Sequence, residues 1–117
     1  MIAKEDILEL LRSTESYRVE RTISTGNMDK FCEAICAFAN DMPGSRKNGY
    51  LIIGAKDDGS ISGMKVDDAL LKKIAGIRSD GNILPLPTMS VERFSFPEGD
   101  LLVAEVRPSD LPPVRYR

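Results

Sequence analysis

Between Met42 and Lys56 the only charged side chains are Arg46, Lys47 and Lys56, and the acidic turn Asp57-Asp58-Gly59 follows at once. Guanidinium and ammonium groups on a loop suit contacts to phosphate oxygens, which orient a protein on a nucleic acid without reading its bases. A second basic stretch closes the chain: Val106 to Arg117 holds Arg107, Arg115 and Arg117 against one acid, Asp110. Arg78 ends a predicted helix, and Arg21 would join the set if it faced outward. The candidate nucleic-acid contacts are therefore Arg21, Arg46, Lys47, Lys56, Arg78, Arg115 and Arg117. Each also has a plainer reading as a solvated surface charge, and Arg78 with Asp80 could serve only to cap and close its helix.

Composition limits what these residues can do. The chain has 117 residues, 42% hydrophobic and 29% charged, with a formal net charge of -2. That suits one soluble domain with a real core and argues against coating nucleic acid by bulk positive charge. Binding should be weak, salt-dependent and poorly sequence-specific. No histidine is present, which removes Ser-His-Asp and Cys-His nucleophile systems and the usual imidazole base. Cys32 and Cys36 stand four apart on a predicted helix with no further cysteine or histidine to complete a zinc site, so burial as small apolar residues is expected. Gly44, Gly49 and Gly54 do not have P-loop spacing. The apolar runs are too short to span a membrane, and the early acids Glu5 and Asp6 do not fit a leader peptide. A cytoplasmic location follows as the default, with no membrane partner.

The elements that must position these side chains are readable from periodicity. Ile7, Leu8 and Leu11 predict a helix from about Lys4 to Ser13. Tyr17 to Ile23 alternates as a strand, with Glu20 projecting to one side. Asn27 is placed to cap a helix from Met28 to about Ala39, whose wide stripe includes Phe31, Cys32, Ile35 and Phe38. Tyr50 to Ala55 is a continuous apolar run that suits a central strand covered on both faces. Asp58-Gly59 predicts a hairpin turn into a strand over Ser60 to Met64. Asp67 or Asp68 caps a helix carrying Leu70, Leu71, Ile74, Ala75 and Ile77. Pro85 and Pro87 keep the next stretch extended and irregular. Ser90 to Phe96 and Leu101 to Val106 predict a second hairpin about Pro97-Glu98-Gly99-Asp100. Val114 and Tyr116 alternate with Arg115 and Arg117, as a strand would. The order α-β-α-β-β-α-β-β predicts a single α+β domain, residues 1–117, with a mixed sheet of about five strands and two to three packed helices. The chain reads as an N-terminal piece of a longer protein.

Taken in order, Glu15-Ser16, Glu20, the helix end Ala37-Phe38-Ala39-Asn40, the strand end Ile53-Gly54, the turn Asp57-Asp58-Gly59 and Pro113-Val114-Arg115-Tyr116 resemble the Schlafen AlbA-type domain. That family occurs at the N-terminus of bacterial transcriptional regulators and helicase-related proteins. The resemblance covers roughly Ser13 to the C-terminus. It departs from the pattern at Arg21-Thr22, where an aromatic and then a lysine are usual, and in the longer loop from Asp41 to Asn48.

The resemblance implies a DNA-binding domain of a bacterial regulator, with DNA or RNA as partner, no cofactor, and the missing C-terminal region as a further partner. It also implies an alternative. RNA-cleaving Schlafen relatives use three acids that match Glu15, Glu20 and Asp57 here. Three converging carboxylates would repel one another unless a divalent ion such as Mg or Mn lay between them, and that ion could activate water for phosphodiester cleavage. The same acids could instead be surface or ion-paired groups beside Arg18 and Arg21, with Asp57 and Asp58 as turn residues. A third reading is a protein-interaction or dimerisation module, a homodimer pairing through an exposed edge strand.

Overall fold

A strand that is apolar at every position needs cover on both faces, and Leu51, Ile52 and Ile53 are each fully buried. The structure, a computed structural model, describes residues 3–12, 18–41, 44, 46–110 and 113–116. Its helices are α1 (Lys4–Arg12), α2 (Met28–Asn40) and α3 (Asp68–Gly76). Its strands are β1 (Val19–Thr22), β2 (Gly49–Ile53), β3 (Ile83–Leu84), β4 (Met89–Phe96), β5 (Gly99–Val106) and β6 (Arg115–Tyr116).

The main sheet has the order β1-β2-β5-β4, with β3 and β6 forming a small second sheet. β1 and β2 are parallel because α2 carries the chain back between them, and the other neighbours are antiparallel. This is the α+β single domain with a mixed sheet that periodicity predicts. Strand alternation sorts the core into two layers. Leu51, Ile53, Leu102, Ala104 and Val106 face α2 and α3. Ile52, Leu101, Val103 and Phe94 face Ile7 and Leu11 of α1. Each fully buried Leu or Ile contributes on the order of 2 kcal/mol, so the central pair β2–β5 anchors both layers.

The helix starts follow the cap chemistry. The Asn27 side chain accepts from the Lys30 N–H at 3.2 Å, and Asp67 accepts from the Leu70 N–H at 2.8 Å.

The predicted strand Ser60–Met64 is not formed; one bridge, Ala55 to Ile61, is all that remains of it. The reason is tertiary. β1 and β5 already occupy both edges of β2, so a hairpin partner has no place to pair. The segment goes instead to the start of β5, where the Asp100 N–H donates to the Met64 carbonyl at 2.8 Å and the Val66 N–H donates to the Asp100 carboxylate at 3.0 Å. The second correction lies at Ile83–Leu84, which reads as irregular in sequence but pairs with Arg115–Tyr116.

Gly59 is required where it stands. It has φ +88°, and a Cβ there would lie 2.0 Å from the Leu11 carbonyl oxygen. Gly59→Ala should therefore destabilise the fold by more than about 2 kcal/mol. Gly26→Ala, with nothing within 4 Å of the added carbon, should stay within about 0.5 kcal/mol. Urea denaturation of both variants checks this; equal stabilities would contradict the packing of the turn on α1.

Candidate nucleic-acid interface

The last turn of α2 organises both sides of a cleft. Phe38 lies under Gly49, whose missing Cβ would fall 2.1 Å from the ring, and the Arg18 guanidinium sits 5.7 Å from the Phe38 ring centre. Asn40 clamps the returning chain at two points: its amide nitrogen donates to the Val114 carbonyl at 2.9 Å, and its amide oxygen accepts the Val114 N–H at 2.6 Å. The Ala39 carbonyl accepts the Ser109 N–H at 2.7 Å. The Ala-Phe-Ala-Asn run is thus a structural joint as well as a sequence signature.

Asp41 ends the helix in the left-handed conformation, φ 45°. Its buried carboxylate accepts the Arg46 N–H at 2.7 Å and lies 3.5 Å from an Arg18 guanidinium nitrogen. The same guanidinium donates to the Asn48 carbonyl at 3.2 Å. The loop after α2 is therefore held at Asp41, Arg46 and Asn48. A buried carboxylate is tolerable only with such partners.

Between this loop and the segment after β5 opens a cleft of about 820 Å³, lined by Arg46, Asn48, Thr88, Arg107, Ser109 and Asp110 among others. Arg46 and Arg107 are exposed. Asp41 is already engaged, which leaves Asp110 as the cleft's exposed acid. The Arg107 N–H donates to the Thr88 carbonyl at 2.9 Å, fixing that wall to the start of β4. Lys47 is exposed on the same loop as Arg46.

The other basic candidates divide. Arg78 donates to the Met89 carbonyl at 3.2 Å, next to Thr88, so it stands at the cleft end of the sheet with its guanidinium partly used. Its own N–H closes α3 on Ala75. Arg115 is exposed on β6, opposite Leu84. Lys56 follows β2 and so stands at the opposite end of the sheet, beyond a strand that runs roughly 13 Å from Gly49 to Ile53 at about 3.3 Å per residue. Arg21 does not face outward. It is 4% exposed and donates to the Leu10 carbonyl at 3.3 Å and the Asp57 carbonyl at 3.0 Å, tying α1 to the acidic turn. Arg117 lies outside the described residues. Arg107 was not among the sequence candidates, although its place in the basic tail was the available signal.

The acids do not gather in the described part of the molecule. Glu20 and Arg21 project to opposite faces of β1. Glu20 lies 3.4 Å from Lys30 of α2, whereas Asp57 is held through its carbonyl on the α1 side. Asp58 is spent on the turn itself: the Ser60 hydroxyl and N–H both donate to it, at 2.6 and 2.9 Å, and hold its carboxyl below the usual carboxylate range. Among the described residues no three His, Cys, Asp or Glu side chains are grouped to hold a metal ion. Glu15 lies outside those residues. The trio of Glu15, Glu20 and Asp57 is therefore not complete among the described residues. The cysteines act as expected. Burial pushes both thiols up, and the Cys36 thiol donates to the Val114 carbonyl at 3.1 Å. No described helix is long and apolar enough to cross a membrane.

A mixed sheet with α1 on one face and α2 and α3 on the other, joined to a C-terminal strand clamped by Asn40, defines the architecture. The chain belongs to the Schlafen AlbA_2 family, whose model matches residues 15–117. Among solved structures it is similar to the N-terminal domain of a Nitrosomonas europaea protein named for its relation to the ATP-dependent DNA helicase RecG, determined by NMR in solution. The two share 24% identity with a TM-score of 0.62, over 94% of this chain and 76% of that one. No curated protein matches.

The C-terminal strand carries a titratable marker. The Tyr116 hydroxyl donates to the Asp29 carboxylate, whose charge opposes ionisation and pushes the phenol up to about 12. The contribution to stability is present below the ordinary tyrosine value near 10 and is lost as pH rises towards 12. Asp29→Asn should bring one of the three tyrosines down towards 10, read from phenolate absorbance. An unchanged titration would place Tyr116 away from Asp29.

Proposed function

We propose that this chain is a nucleic-acid-binding domain that holds the phosphate backbone in the cleft between Arg46 and Arg107. The finer reading is a DNA-binding domain of a bacterial transcriptional regulator, working in the cytoplasm and needing no cofactor. The supporting observation is the pairing of two exposed arginines in one cleft, on walls fixed independently by Asp41 and by Thr88. Guanidinium groups on fixed backbone suit phosphate, because they offer a planar set of donors and keep their charge at every working pH. Lys47 on the same loop and Arg78 beside Met89 extend the positive field at this end of the sheet.

The arrangement also sets the expected strength. Two to four cations at one end of an otherwise acidic molecule neutralise few phosphates. The affinity should fall with salt at a log–log slope of about -2 to -4 on duplex DNA, at about -0.9 per phosphate contact. Among the described residues the cleft walls are loops and strand ends apart from the C-terminal end of α2, so affinity should vary little with sequence.

Fluorescence anisotropy with a labelled oligonucleotide, across a salt series, tests the reading. Arg46→Ala and Arg107→Ala should each weaken binding and flatten the slope by about 1. Lys56→Ala, at the far end of β2, should change neither. Loss of binding in Lys56→Ala with both arginine variants intact would move the interface to the acidic-turn end and overturn the assignment.

A further inference from the structure

We infer that the cleft takes single-stranded nucleic acid in preference to duplex, with one unpaired base seated in the adjoining pocket, its face against Leu86 and its edge towards Asp110. The inference rests on the nucleic-acid reading of the cleft and deepens it.

The cleft does not end at Arg107. A smaller cavity of about 200 Å³ adjoins it, lined by Pro85, Leu86, Pro87 and Val114. The two cavities share Thr88, Arg107, Pro108, Ser109 and Asp110. A cationic space thus runs without a break into a second one that mixes polar and apolar surface. Leu86, 54% exposed, shares this lining with Arg107. The floor is stiff: two prolines restrict the backbone of 85–87, and β3 and β4 hold it from either side. A surface ordered in advance loses little freedom on binding.

A nucleotide matches this sequence of surfaces. Its phosphate suits Arg46 and Arg107, and its base offers an apolar face to Leu86 and the prolines. In a duplex that face is covered by the stack, and only phosphates and groove edges reach the protein. An unpaired base can leave the stack and present both its face and its edge.

Asp110 decides between a base and the other anionic occupant, an acidic peptide. It is exposed and lies where the cavities overlap. A carboxylate there repels acidic side chains but accepts from the exocyclic amino group of cytosine or adenine.

The experiment compares a labelled mixed-sequence single strand without self-complementarity with its blunt duplex, by anisotropy at equal salt, with unlabelled polyglutamate as competitor. The single strand should bind about fivefold or more tightly than the duplex. Leu86→Ala, an exposed position whose melting temperature should match the parent, should remove most of that preference while leaving duplex affinity unchanged. Polyglutamate should compete poorly. Equal affinity for strand and duplex, or an equal loss on both in Leu86→Ala, overturns the inference but leaves the arginine cleft standing. Binding of neither nucleic acid overturns both readings. Strong competition by polyglutamate overturns the base pocket in favour of an acidic protein partner.

Discussion

The end of α2 is the constraint on which the site depends. A helix leaves its last carbonyls without intrahelical donors, and the chain leaving it must turn sharply. Here the left-handed Asp41 makes the turn, with its N–H returned to the Ala37 carbonyl. Non-glycine residues adopt that conformation at some cost, and aspartate is among the more tolerant. Burying its carboxylate would add a larger cost if it were not paired with Arg18 and hydrogen-bonded by the Arg46 N–H. One residue earlier, Asn40 uses its whole amide as a mimic of a neighbouring strand and fastens Val114. Within two residues, α2 fixes the Arg46 loop on one side and the C-terminal segment on the other.

The opposite end of the sheet is built for a different purpose. The acidic turn, conspicuous in sequence, is held largely by its own geometry. Arg21 binds the Asp57 carbonyl from inside, Ser60 satisfies Asp58, and Gly59 lies against the end of α1. These contacts explain Asp58 and the glycine without assigning them chemistry. They also separate Lys56 from the basic residues of the cleft. The positive charge of this acidic protein is therefore concentrated in part at one end of β2 and spent in part on structure.

Much of the fold is legible in the chain because it rests on local rules. Asn27 and Asp67 announce helix starts through side-chain acceptors, and the apolar run at Leu51–Ile53 announces a central strand. What is not legible depends on neighbours distant in sequence. Ser60 to Met64 alternates like a strand, but whether it pairs depends on β1 and β5 having already taken both edges of β2. Ile83–Leu84 looks irregular beside its prolines until Arg115–Tyr116 supplies a partner. The site divides in the same way. Arg46 and Lys47 stand out on a loop. Arg21 resembles them in composition, yet it occupies an inward position of β1 and serves as a buried tie. Arg107 becomes a site residue only because β5 ends beside the α2 loop, and no pattern within Val106 to Arg117 singles it out from Arg115.

The central claim is that a polyanion enters between the α2 loop and the segment after β5. Backbone amide shifts followed by NMR during titration with an oligonucleotide locate the contact directly. The account predicts the largest movements at Arg46 to Asn48, Thr88 and Arg107 to Asp110, with Lys56 to Ser60 nearly still. Movements concentrated at Lys56 to Ser60 and around Glu20, with the cleft residues unmoved, would contradict it.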